Sequence, residues 1–492
     1  MNSLTYLVMI GWIPVVLYLF SRVPVQRAVI LSFLIAWLFL PMAAIPLAGL
    51  PDYTKMSATC YGILLATLIF DSQRFFAFRL HWIDSAMLIW CLCPVISSLT
   101  NDLGLYDGLS VALAQTVTWG FPYFLGRLYL SSLQGLQELA VGIVWGGLIY
   151  VPLCLLEIRL SPQLHRWLYG FSPQSFDQAI RYGGYRPIVF MQHGLMVGTW
   201  MMTATLIGFV LWRVGVLQQL LQRFAQGTLD PSSRTPQNRP LQPLYRETPW
   251  GTACIYVLTL LVTFVLLKST GAYVQLLMGI VLLLGVRWLK SALPLLLVML
   301  AMCGYLTFAA AGGMTLQTVH QISTTITQFV NADRAQSLVF RLQNEAALSA
   351  KARLQPWFGW GGWGRSRIYN AMGEDISVTD SLWIIYFGNY GFLGLMSWFG
   401  ALLLPVVGFV LLTYRVEVWW HPQILPAATL AVGLTLYTLD CLINGMVNPI
   451  YTLVAGGLAG IVAHRSQVRS VPATLRHGNV KSSIMVPGQS DS

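Results

Sequence analysis

The chain has 492 residues, 56% of them hydrophobic and only 10% charged, with a mean hydropathy of +0.64. Soluble domains carry about 25% charged residues, so the deficit excludes a soluble globular protein and indicates a polytopic membrane protein. The formal net charge of +11 does not signal a nucleic-acid partner, because no soluble domain gathers the basic residues into one patch.

At about 20 apolar residues per span, the apolar runs fall at 4–21, 28–49, 56–72, 82–99, 108–126, 137–156, 189–212, 250–267, 271–288, 292–310, 381–414, 424–443 and 447–463. They predict an all-α transmembrane helix bundle of about 12–14 spans, with thirteen as the direct count. The first run lacks a basic stretch ahead of it and is followed by further spans, so it reads as a span rather than a signal peptide. Run 381–414 exceeds one straight span, which predicts a short helix before Gly391. The seven cysteines all lie in apolar runs and read as small hydrophobes, not as metal ligands or disulfides.

Basic residues in the connections set the orientation. One side receives Arg22, Arg27, Arg74, Arg79, Arg127, the 213–249 loop, Arg287, Lys290, Arg415 and the C-terminal tail, which is more than half of the 29 Lys and Arg. That side is the cytoplasmic one, with the N-terminus outside. Two longer loops, 157–188 and 311–379, then face outward. Residues 1–464 read as one membrane domain, 213–249 as a cytoplasmic linker whose Pro-, Gln- and Arg-rich part is disordered, and 465–492 as a disordered basic cytoplasmic tail. No solenoid or inverted repeat is visible.

The second outer loop carries Arg334, Arg341, Lys351, Arg353, Arg365 and Arg367. Residues 333–353 predict a helix, capped by Asp333 and rich in good helix formers. Arg334, Leu338, Arg341, Glu345 and Leu348 share one face, and Val339, Leu342, Ala346 and Ala350 an adjacent apolar one. The helix must end near Pro356, ahead of the Trp- and Gly-rich stretch 357–364. Trp suits the bilayer interface, and glycine allows close backbone approach.

Several side chains here suit an anionic substrate. A guanidinium at Arg341 matches two phosphate oxygens at any biological pH, or else pairs with Glu345. Arg181 and Arg186 close the first outer loop and run into a helix expected near Ile188, with Pro187 at its start favouring Arg186 as the more fixed of the two. Asp380 sits where the chain enters the membrane; a carboxylate there can take a proton from an incoming sugar hydroxyl, while either Asp380 or Thr379 can cap the short helix. Glu157 and Asp440 are further outer-face carboxylates, with Asn444 or Thr438 as partners for Asp440. His193, read as six residues into its helix, faces the same region or bonds a neighbour.

Residues 380–394, Asp-Ser, nine residues and Gly-Phe-Leu-Gly, resemble the active-site loop exit of the O-antigen ligase and polymerase superfamily of bacterial envelope enzymes, with Asp380 where that family has His. Arg341 with Gln355–Gly364 resembles its loop arginine and Pro-x-x-Gly-x-Gly segment. Lys268–Ala272 resembles its Ser-Arg-Gly-Ala helix start, with Thr270 where Arg is usual. Arg181–Met196 and Asp440–Gly460 resemble further segments, so the resemblance spans most of 137–463. It implies an inverting, metal-independent glycosyltransferase without a cofactor, in the bacterial inner membrane with its site facing the periplasm. Asp380 and Arg341 would be catalytic; Arg186, Arg181, Arg334, Glu345, His193, Glu157 and Asp440 would bind diphosphate or glycan. The donor would be a polyprenyl-diphosphate-linked oligosaccharide and the acceptor another glycan, with a flippase and a chain-length regulator as pathway partners. Asp380 in place of His favours polymerisation of repeat units over ligation to a lipid or protein acceptor. A polysaccharide or lipid-linked sugar transporter is the alternative of another class; it predicts ionisable residues deep in several spans.

Overall fold

The computed structural model describes residues 1–217, 250–315, 317–321 and 332–464. Most of the expected linker, 218–249, and the whole expected tail, 465–492, lie outside the described residues. The chain is an all-α, multi-pass membrane protein. Its helices are α1 (Ser3–Arg22), α2 (Val25–Phe39), α3 (Lys55–Phe70), α4 (Ser85–Thr100), α5 (Leu105–Gln115), α6 (Phe121–Tyr129), α7 (Leu133–Leu160), α8 (Gly194–Arg213), α9 (Trp250–Leu266), α10 (Thr270–Leu289), α11 (Leu293–Ala310), α12 (Ala332–Ala352), α13 (Leu382–Gly408), α14 (Leu425–Asp440) and α15 (Pro449–Ala463), with short helical turns between them.

Among the described residues, 7 helical stretches are long and apolar enough to cross a membrane, and five shorter apolar helices accompany them. A π-turn over Thr116–Gly120 joins α5 and α6 into one bent segment. Every apolar run of the sequence therefore holds a helix. Run 28–49 does not stay helical: α2 stops at Phe39 and the rest forms an antiparallel hairpin of β1 (Ala44–Leu47) and β2 (Leu50–Thr54). Pro41 explains the stop, because it disfavours the helical conformation at Leu40. A second small hairpin, β3 (Ile180–Arg181) with β4 (Gly184–Tyr185), lies in the first long loop.

The core is built on α8, α14 and α15, which are buried along nearly their whole length. They are apolar on all sides, as helices enclosed by other helices must be. α15 touches α6 backbone to backbone. A Cβ on Gly456 would lie 2.0 Å from the Tyr123 carbonyl oxygen, and one on Gly126 would lie 2.2 Å from that of Leu453. Only glycine on both helices permits that approach. Arg127, read from the sequence as a loop cation, lies inside α6, 4% exposed, with its Nε 3.1 Å from Asp84.

α13 breaks at Gly391, which has φ 62 and ψ −158, as the length of its run required. The break frees backbone groups that lipid cannot satisfy. The Trp- and Gly-rich stretch inserts there and supplies the partners. The Trp360 N–H donates to Gly388 O (2.9 Å) and the Gly361 N–H to Asn389 O (3.0 Å), while Phe392 N–H donates to Pro356 O (2.7 Å) and Leu393 N–H to Trp357 O (3.2 Å). Trp357 and Trp363 remain exposed, as suits an interface.

Gly391→Ala would place a Cβ 2.4 Å from the Trp357 carbonyl carbon, at a positive φ. The dihedral alone costs about 1–3 kcal/mol. The variant is expected to melt at clearly lower temperature in detergent and to yield less monodisperse protein, whereas Gly11→Ala, which meets open space, leaves both unchanged. Equal melting of Gly391→Ala and the parent would refute the plug.

Candidate functional site

α12 is amphipathic, and its inner face docks on the bundle. Glu345, Ala346, Leu348, Ser349 and Ala352 are buried, and Val339 and Leu342 pack at the edge of the core. Ala350, expected on the apolar face, is exposed. Arg341 lies one turn before Glu345, at the rim. Its Nε is 3.3 Å from Asp380 Oδ2, and the two side chains are 34% and 36% exposed. Its Nη1 donates to Asn444 Oδ1 at 3.4 Å. That leaves Nη2 without a partner among the described residues.

Asp380 is free of capping duty. Ser381 is the N-cap of α13 and makes no side-chain cap bond. The first N–H of α13, on Leu382, donates instead to Cys441 O (3.0 Å), which pins the start of α13 to the end of α14. Thr379 accepts from Arg367 at 3.5 Å rather than capping.

Asp440 lies behind Asn444. Its Oδ1 accepts from Asn444 Nδ2 (2.8 Å) and Gln275 Nε2 (2.6 Å); Thr438 instead donates to Leu434 O. An ionised carboxylate only accepts, so it turns the Asn444 amide N–H₂ inward and the carbonyl oxygen outward to Arg341. Of the two partners expected for Asp440, Asn444 is the one it uses. Gln275 escaped the sequence reading of the site, and the only signal was an amide near the start of an apolar run.

The β3–β4 hairpin reaches the same place. Arg181 Nη1 donates to Ile180 O at 2.9 Å, and Arg186 is buried. The Arg186 side chain crosses the start of α8, where a Cβ on residue 194 would lie 2.3 Å from its Cδ, so Gly194 makes room for it. The helix begins at Gly194, not near Ile188. His193 is therefore the N-cap, its Nδ1 accepting from Leu195 N–H at 3.0 Å. Burial first, then Arg186, Arg181 and Arg341, push the imidazole down to about 4. The ring is neutral at pH 7, with Nδ1 occupied and Nε2–H left to donate. All three guanidiniums bear electrostatically on this one ring.

Glu157 sets the turn that carries Arg186. It is 1% exposed and accepts the N–H groups of Leu164 (2.9 Å), Ile188 (2.9 Å) and Val189 (2.8 Å). It thus holds backbone instead of facing a ligand. Lys268 Nζ donates to Tyr182 O (3.1 Å) and Thr270 Oγ1 bonds Tyr182 OH (3.0 Å), tying the start of α10 to the same hairpin.

The remaining loop cations are engaged elsewhere. Lys351 bonds Arg367 O, Arg353 bonds Ser349 (3.2 Å), Arg365 bonds Asn101 O (3.4 Å), and Arg367 pairs with Asp375 (2.5 Å). Hydrogen bonds from Arg367 and Ser377 hold the Asp375 carboxyl down at about 2. The side chains of Asp333 and Arg334 lie outside the described side chains; α12 begins at Ala332, so Asp333 stands within the helix rather than before it. Among the described residues no three His, Cys, Asp or Glu side chains cluster to hold a metal ion. The site is thus the Arg341–Asp380 pair, with Arg186 and Arg181 contributing positive charge near His193, an arrangement suited to an anion and a proton transfer beside it. No protein-family model matches the chain, and no curated protein matches it either.

Glu345 does not pair with Arg341. It points inward and accepts from Tyr305 OH at 2.5 Å, and burial pushes its carboxyl up to about 7. The folded state binds this proton more tightly than the unfolded chain. Its contribution to stability is therefore complete below the ordinary value of 4.5 and is lost as pH rises through about 7. The melting temperature of the parent is expected to fall between about pH 5 and 8, and Glu345→Gln to flatten that slope. An identical slope in the variant would show that Glu345 is not the titrating group.

Proposed function

We propose that the chain is an inverting membrane glycosyltransferase that polymerises polyprenyl-diphosphate-linked oligosaccharide repeat units into O-antigen or exopolysaccharide, at the periplasmic face of a bacterial inner membrane. The observation that carries this reading is the Arg341–Asp380 pair, 3.3 Å apart and a third exposed; the positive charge that Arg341, Arg186 and Arg181 all bring to bear on His193 supports it. A cation beside a carboxylate is what a transfer from a lipid diphosphate to a hydroxyl requires.

The donor's diphosphate takes the open Nη2 edge of Arg341 and the guanidiniums of Arg186 and Arg181, while His193 Nε2–H donates one further hydrogen bond. This binding competes with Asp380 for Arg341 and frees the carboxylate. The acceptor hydroxyl then gives its proton to Asp380 as its oxygen forms a bond to the anomeric carbon. The bond from that carbon to the diphosphate oxygen breaks, and its electron pair leaves with the lipid diphosphate, whose charge the arginines stabilise. One displacement inverts the anomeric configuration. Asp440, Gln275 and Asn444 orient Arg341 from behind.

The buried charged side chains support an enzyme over a transporter. Among the described residues, Lys55, Asp84, Glu157, Arg186 and Asp440 lie at helix ends or in loops, Arg127 in the last turn of α6 and Glu345 on α12, not in mid-span rows. A ligase would share the same donor chemistry and differ in its acceptor. The flippase and chain-length regulator of such a pathway are the proposed partners.

Arg341→Ala and Asp380→Ala are each expected to abolish polymer in cells at normal protein level; unchanged chain lengths in both would overturn the reading. Single repeats in a deletion strain mark a polymerase, unligated long chains a ligase. Asp440→Asn lets the Asn444 amide turn either way, which removes a hydrogen bond to a charged group worth about 1.5–3 kcal/mol. Polymer synthesis by this variant is expected to fall about tenfold or more.

A further inference from the structure

A second polar cavity lies at the other end of the bundle, with a volume of about 560 Å³. Arg74, Arg79, His81, Arg127, Ser132 and His464 are among its lining residues. α7 connects the two ends. It starts at its N-cap Ser132, on the cavity wall, and reaches Glu157 near its far end. Its 28 residues span roughly 42 Å at 1.5 Å each, more than a hydrocarbon core. The cavity therefore opens at the membrane face opposite Arg341.

The charges around it leave a positive excess. Arg127 is neutralised by Asp84 in a pair that is only 4% and 3% exposed. Glu138, the acid that Gln26 holds near the rim, is paired with Arg27. Arg74 leans on Asp71 at 3.5 Å but is 51% exposed, and its guanidinium is held 5.3 Å over the Tyr129 ring. Arg79 is exposed and makes no ion pair with any described residue. The N-terminus of α7 adds the positive end of a long helix dipole.

The segment that carries these arginines also carries apolar side chains turned outward. Phe76 is 77% exposed, Leu80 63% and Trp82 55%. Cations alternating with exposed aromatic and aliphatic groups, beside a basic cavity at a helix-bundle end, match the border between headgroups and acyl chains. A soluble anion would account for the arginines but not for the apolar surround.

We propose that this cavity binds the phosphate headgroup of an anionic phospholipid, held by Arg79 and Arg74, with the acyl chains lying along Phe76 and Leu80. The site is independent of the transfer chemistry at Arg341, and its test does not rely on activity.

The experiment is native mass spectrometry of the detergent-purified full chain with added phosphatidylglycerol or phosphatidylcholine, read together with lipid-dependent melting. The parent is expected to keep a phosphatidylglycerol adduct and to gain melting temperature from that lipid, but not from phosphatidylcholine. Arg74→Ala with Arg79→Ala, and separately Arg79→Glu on its exposed side chain, are expected to lose the adduct by roughly tenfold or more. Arg22→Ala, an exposed arginine that does not line the cavity, serves as the control and is expected to keep it. The proposal is overturned if the cavity variants that remain monodisperse bind as the parent does, if Arg22→Ala loses as much, or if phosphatidylcholine binds equally. Inorganic phosphate alone raising the melting temperature as much as phosphatidylglycerol would replace the lipid by a soluble anion and overturn it as well.

Discussion

The rest of this structure depends on the hydrogen bonds that fill the break in α13. A helix opened at membrane depth strands donors and acceptors that lipid cannot meet, and each stranded group costs several kcal/mol. The stretch from Pro356 to Gly361 meets them, and it also binds outward: Asn101 Nδ2 donates to Gly359 O (2.9 Å) and Trp360 Nε1 to Lys351 O (3.0 Å). The last bond reaches the end of α12. The loop that satisfies α13 therefore also fixes the helix carrying Arg341. Asp380 stands at the start of the same α13, so one insertion sets the separation of the cation and the carboxylate.

Buried charge elsewhere is spent on holding the scaffold. Asp84 accepts from Arg127 and from Tyr123 OH, and Glu157 accepts three backbone N–H groups. Each of these carboxylates has its lone pairs occupied, which is the condition for keeping an acid inside. Arg341 and Asp380 differ in two respects: water reaches both, and one edge of the guanidinium has no partner among the described residues. That contrast, rather than mere proximity to a membrane surface, separates the pair proposed to act on substrate from the charges that only support it.

Much of this was legible in the sequence. The spans follow from apolar density alone, since in lipid the backbone has no other way to satisfy itself than as a helix or a closed barrel. The helix carrying Arg341 and the break at Gly391 were also readable from spacing, and Asn444 as a partner of Asp440 from its place one turn on; the pairing of Arg341 with Asp380 was not, since Glu345 on the same helix offered the nearer carboxylate. What escaped depends on side chain meeting backbone at long range. Nothing in the local pattern says that Glu157 accepts the N–H groups of Ile188 and Val189, more than thirty positions ahead, and that alone delays α8 to Gly194. His193 consequently turns from a residue within a helix into its cap. Gln275 was hidden for a similar reason: a lone amide in an apolar run looks neutral until Asp440 is placed beside it.

The joint between α6 and α15 constrains how the protein can deform. With glycine on both sides and main chain against main chain, no side chain lies between the two helices to change rotamer, and a shift of either would drive carbonyl oxygens into α-carbons. Strain cannot be absorbed there. α12 rests on the bundle by one face only, so any give in the fold lies at its perimeter, around a stationary post at the centre.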